Sequence, residues 1–231
     1  TTLIQQVHTL GNENFSRTYQ QTAPLERESY LVKYDTALLE PDYQKALLDW
    51  NQDPTHGFVI YTARPSSPPT GVNDEPIGYA PEADLAAELL GFANQIPLIA
   101  SGRMEWLARQ HQRQGSDYIK PSPVQALAAI GAAYSRNELA GLTAAARLFE
   151  DGEVVEPLSS LAEQPTKVIV FDDSTGGLNA TRLAVELLNE AGVAIQLEMV
   201  GVAPEESKRS ALAKIADRVV NDINEGLANL L

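Results

Sequence analysis

An α/β fold built on a central, mainly parallel sheet is what the pattern of this chain predicts. Short strand-like runs alternate with helical stretches from about residue 28 to the C-terminus. The runs are near-continuously apolar, as in KVIVF at 167–171, which is how strands read when helices cover both faces of their sheet. A length of 231 residues is enough to bury one sizeable core, and no shift in composition divides the pattern into two.

Residues 1–27 are polar and mixed, without a strong period, and are expected to form an arm, a hairpin or a homo-oligomer contact ahead of a domain at 28–231. Residues 30–34 (YLVKY) read as the first strand. A helix opens near Pro41, with Tyr43, Ala46, Leu47 and Trp50 on one face. The next strand is 58–61 (FVIY), followed by a loop at 64–69 whose prolines forbid helix and ladder alike. A helix over 81–93, a short strand at 96–100 and a helix over 103–112 come next. The Ala- and Leu-rich stretch from Pro123 toward Phe149 is helical by propensity, with Gly131 and Gly141 as candidate breaks. Strands at 167–171 and 193–200, helices at 178–191 and from Pro204, a short strand at 218–220 and a closing helix complete the series.

Thirty-one acidic against seventeen basic residues give a net charge of −14. Such a surface disfavours nucleic acid and anionic membranes, which need clustered Lys or Arg. No apolar run approaches the roughly 20 residues of a membrane helix, and the first residues lack the layout of a signal peptide. The absence of cysteine removes disulfides, thiolate metal sites and a cysteine nucleophile, and fits a cytoplasmic protein. The three histidines, His8, His56 and His111, share no ligand spacing.

Ligands of open parallel sheets bind beyond the carboxyl ends of the strands. The residues that close the expected strands there are Asp35, Thr62, Ser101 and the pair Asp172-Asp173. Each also has an ordinary role: Asp35 as a turn former, Thr62 as a β residue, and 172–175 (DDST) as a helix cap. Adjacent acids at the end of a central strand repel each other, however, unless a cation lies nearby.

The order strand-Asp, strand-Thr, helix-entry Lys, strand-Asp-Asp, carried by YLVKYDTALL, FVIYTARPS, DYIKPSP and VIVFDDSTGG, resembles the four motifs of the haloacid dehalogenase (HAD) superfamily. The resemblance runs from about Glu28 to Leu231 and implies a three-layer Rossmann-like fold. It further implies a Mg²⁺-dependent phosphatase in which Asp35 attacks phosphorus to form an aspartyl-phosphate. Asp35, the backbone at Ala37, Asp172 and Asp173 would hold the metal. Thr62, the backbone at Ala63 and Lys120 would hold the phosphoryl oxygens of a small phosphorylated substrate or a phosphoprotein. The chain departs from the pattern at Ala37, where phosphatases of the family carry a second aspartate as general acid and base, and at Leu38-Leu39. It also leaves no room for a large cap between Asp35 and Thr62. The alternative implied is a catalytically degenerate relative that serves as a binding or assembly protein.

Overall fold

The computed structural model describes residues 3–72, 78–228 and 230–231. It shows a mixed α/β chain with two short parallel sheets. None of its helices is long and apolar enough to cross a membrane among the described residues.

The opening segment is a helix. α1 (Leu3–Tyr19) buries Val7, Leu10, Phe15 and Tyr19 against Leu31 and Leu85. Its apolar stripe escapes a sequence reading because a kink at Gly11 separates Val7 and Leu10 from Phe15 and Tyr19.

The largest departure from expectation follows. Tyr30–Tyr34 is not a strand but a five-residue helix, α2. Ser29 caps it, its hydroxyl accepting the Val32 N–H at 3.2 Å. The rings of Tyr30 and Tyr34, one turn apart, lie 4.7 Å from each other. β propensity expresses packing against neighbouring strands, and here the segment has been given no strand to pair with. Asp35 is consequently the residue that closes a helix, not a strand.

α3 (Pro41–Trp50) begins at its proline and buries Leu47, with Tyr43 and Leu48 partly buried beside it. β1 (Ile60–Tyr61) and β2 (Leu98–Ile99) pair in parallel, each about half the length that the sequence predicts. Between and after them lie α4 (Glu82–Leu89) and α5 (Ser101–Gln110). The Ala-rich stretch divides into α6 (Pro123–Ser135) and α7 (Glu138–Ala146), followed by a π-helical turn at Arg147–Asp151. The break falls at Arg136, in the left-handed region at φ 56°, and Asn137, which caps α7. Gly131 and Gly141, the candidate breaks, sit instead at the crossing of the two helices. A Cβ on Gly131 would lie 3.0 Å from Gly141 Cα, so the pair lets the backbones touch.

The C-terminal part follows the sequence more closely. β3 (Thr166–Asp172), β4 (Ile195–Val202) and β5 (Arg218–Val220) form a parallel sheet in that order, Asp172 lying opposite Gly201. α8 (Thr175–Glu190) and α9 (Glu206–Leu212) lie between the strands in sequence. α8 packs through Ala180, Ala184 and Leu188 into the main core with Val168 and Leu197, and α10 (Ile223–Leu227) shares another cluster with Phe171. The main core joins α5, α6, α7 and α8 through Met104, Leu127, Leu142 and Leu188.

Candidate functional site

Two of the residues singled out by the sequence meet at the carboxyl end of β3, beside the end of β1. Lys120 Nζ lies 2.7 Å from Asp172 Oδ2, with the lysine side chain 16% exposed and the aspartate 4%. The same ammonium sits 4.5 Å from the centre of the Tyr61 ring. A cation over an aromatic face and against a carboxylate is held by both, more strongly where water is excluded. Thr62 is the next residue along β1's path, and its hydroxyl accepts the Arg64 N–H at 3.2 Å. A hydroxyl that accepts there can still donate its proton.

The local sequence explains how the pair is placed. β3 delivers Asp172 to its last position, where Oδ1 accepts the Ser174 N–H at 2.8 Å and the Ser174 hydroxyl at 2.6 Å. Ser174 in turn caps α8 by accepting from Gly177 N–H. The carboxylate occupies the space beside Gly177. A Cβ on Gly177 would lie 1.9 Å from Asp172 Oδ2, so this position has room for glycine alone. Lys120 immediately precedes the Pro121-Ser122-Pro123 entry into α6, with a cis peptide bond between Lys120 and Pro121.

Two residues of the site carry no signal of their own kind in the sequence. Gln125, wholly buried on α6, donates its amide to the carbonyls of Thr62 at 2.7 Å and Ile99 at 3.2 Å. Its Oε1 accepts the Lys120 N–H at 3.2 Å. One side chain thus ties the ends of both short strands to the lysine. A lone polar residue among alanines and leucines just after the Lys-Pro-Ser-Pro segment was the available clue. Tyr61 donates to the Gly177 carbonyl at 3.0 Å. Burial, and then the Asp172 carboxylate, push its phenol far above the usual range, so it stays protonated as a fixed donor and ring.

The remaining expected members do not join this group. Asp35 follows α2, with its side chain 37% exposed, and is paired with Arg64 Nη1 at 2.8 Å. Glu82, at the start of α4, lies near both: burial raises its carboxyl above the ordinary value, Arg64 draws it down and Asp35 pushes it up. Ala37, Ala63 and Asp173 are exposed. Ser101, expected at a strand end, opens α5 instead, its N–H donated to the Arg64 carbonyl. Beyond the site, nearly buried Arg103 binds Asp84 at 2.7 Å, Glu138 at 3.3 Å and the Ser67 carbonyl at 3.0 Å, fastening the proline-rich loop after β1.

The Mg²⁺ site implied by the resemblance does not fit these residues. Among the described residues no group of three His, Asp or Glu side chains is placed to share an ion. Asp172 is taken by Lys120 and Ser174, and Asp35 by Arg64, so neither carboxylate is turned to a shared ion. Surface clefts of about 870 and 690 Å³ lie elsewhere, between α1 and the 26–34 segment; neither is lined by Thr62, Lys120 or Asp172. The donor this group offers an anion is the Lys120 ammonium, which Asp172 already engages on one side. No protein-family model matches the chain, and no curated protein or solved structure matches it.

Proposed function

We propose that the chain is a HAD-like α/β protein of three-layer, Rossmann-like arrangement, and that Lys120 at its strand ends binds the phosphoryl group of a small phosphorylated compound or a phosphoprotein without cleaving it. The observation that carries this reading is the Lys120–Asp172 pair, withdrawn from solvent at the end of β3 and resting on Tyr61. A buried ion pair is a weak stabiliser once its desolvation is counted, and functional clefts are where such pairs are commonly kept. An ammonium has three donors; Asp172 takes one, which leaves capacity for a ligand oxygen.

Catalysis is disfavoured by the same geometry. A nucleophilic carboxylate must face phosphorus while a cation cancels the repulsion between them. Asp35 is held by Arg64 at the end of a helix, and Ala37 cannot act as an acid. The second reading is the Mg²⁺-dependent phosphatase, favoured by the meeting of Lys120 with Asp172, which that chemistry also needs.

Turnover of an aryl phosphate with Mg²⁺, assayed beside phosphate binding, separates the two. Binding without turnover in wild-type protein, with Asp35→Asn unchanged, is the expected result. Turnover that Asp35→Asn abolishes would replace this reading with the phosphatase.

A further inference from the structure

A lysine carries its charge on a flexible four-carbon stem, so the place of the ammonium depends on how firmly the backbone beneath it is held. On the C-terminal side of Lys120 the fastening is Gln125, which accepts the Lys120 N–H at 3.2 Å. On the N-terminal side it is Tyr118, two residues before the lysine. Tyr118 is wholly buried, and its hydroxyl donates to Glu150 Oε1 at 2.6 Å. Burial, and then the bond to Glu150, push the phenol far above its usual range, so it remains a donor. The same carboxylate accepts from Arg113 Nε at 3.2 Å and from Arg113 Nη2 at 2.7 Å. One acid thus clasps both ends of the 113–118 loop, with a 3₁₀ turn at Gly115–Asp117 between them. Arg113, and after it Tyr118, hold the Glu150 carboxyl below its ordinary value, so the clasp stays charged near neutrality.

Glu150 lies on the π-helical turn Arg147–Asp151 that follows α7. Single π turns are rare, and they recur at functional sites. This one leaves Phe149 40% exposed, edge-on to the Tyr118 ring at 6.1 Å between centres, while Glu150 beside it reaches inward to the Tyr118 hydroxyl. Burial preference alone would favour the reverse, with the phenylalanine inside and the glutamate in water. Ile119, the one residue between Tyr118 and Lys120, packs against the main core. Little slack separates the two, so a displacement of Tyr118 carries to Lys120.

We propose that Glu150 is a positioning residue for Lys120: by clasping Tyr118 and Arg113 it fixes the loop that delivers the ammonium to Asp172 and to a bound phosphoryl group. The second part of that role rests on the proposed phosphate site; the placing of Lys120 at Asp172 does not. Glu150 acts through Tyr118 and the backbone and touches no ligand itself.

Acetylation with limiting acetic anhydride, read lysine by lysine in a mass spectrometer, reports whether Lys120 is held. Lys33, Lys45 and Lys167 have side chains more than half exposed and serve as internal references. Two variants release the clasp: Glu150→Ala, and Tyr118→Phe, which removes a single oxygen. In both, Lys120 is expected to react about tenfold faster than in wild-type protein with the references unchanged, a factor that matches one lost hydrogen bond to a charged group. Glu150→Gln, whose carbonyl still accepts the Tyr118 hydroxyl, is expected to stay within about twofold of wild type. Wild-type reactivity of Lys120 in both folded variants overturns the inference. So does a rise shared by every lysine, which would make Glu150 a general support of the fold. Phosphate titration of the same proteins bears on the binding site separately. A selective Lys120 rise with weakened phosphate binding supports both. The same rise in a protein that ignores phosphate keeps the positioning role and removes the site, whereas phosphate binding with Lys120 unmoved does the reverse.

Discussion

Removing the Lys120 ammonium would strand the Asp172 carboxylate in a site where it is almost wholly buried. Breaking one side of a buried pair typically costs about 3–5 kcal/mol, while replacing both partners by apolar groups is often neutral. Lys120→Met is therefore expected to lower unfolding free energy in urea by about that amount, and Lys120→Met with Asp172→Leu to recover part of it, the Ser174 N–H and hydroxyl then losing their acceptor. Equal losses in the single and double variants would show that the pair is not the stabilising unit. A different carboxylate contributes to acid sensitivity. Glu198 on β4 is held below its ordinary 4.5 by hydrogen bonds, first from Lys167 and then from Arg218. Its folded value lies below its unfolded one, so its contribution is complete above about pH 5 and fades as pH falls through the folded value. Because the group is partly exposed, that contribution is on the order of 0.2–1 kcal/mol. Glu198→Gln is expected to flatten the stability profile between about pH 5 and 3 and leave its shape near neutrality unchanged.

At the level of elements, Gln125 is the fastening between α6 and both short strands. Gln125→Leu fills the space but removes the side-chain donor to the Thr62 carbonyl, while the Ile99 carbonyl keeps the Thr62 N–H, a loss of about 1–3 kcal/mol for a buried acceptor. Amide exchange at Ile60 and Thr62 should accelerate more than at 168–171 in β3, which does not depend on that bond. The elements also show what was legible in the sequence. The 167–171 run reads correctly because it is long, apolar and bounded by polar residues, and the helix after it is fixed by the Asp-Asp-Ser-Thr entry. The 30–34 run reads as a strand in the sequence and folds as α2 for a physical reason. Its residues suit a strand, but α2 has a cap at Ser29 and an aromatic contact along one face, neither of which propensity weighs. α1 was missed because a kink shifts the phase of its apolar stripe. The Lys120–Asp172 meeting was legible as motif order, whereas Gln125 and Tyr61 gain their roles only from the fold that brings 61, 125 and 172 together.

For the whole molecule, the arrangement is one of positive groups guarded by internal carboxylates on a strongly negative surface. Lys120 is paired with Asp172, Arg64 with Asp35 and Arg103 with Asp84 and Glu138, within a net charge of −14. Such a molecule repels anions at long range and accepts them where a cation and donors converge, so binding at the strand ends should strengthen as added salt screens the overall charge and weaken only where salt competes directly for the site. Phosphate is proposed to bind at Lys120, beside the carboxyl ends of β1 and β3. Titrating inorganic phosphate into isotope-labelled wild-type protein and following every backbone amide tests it without altering any residue. Saturable shifts concentrated at Thr62 to Arg64, at Lys120 and across Asp172 to Gly177 are the expected result. Saturable shifts confined to the cleft between α1 and α2, or none at millimolar phosphate, would contradict it.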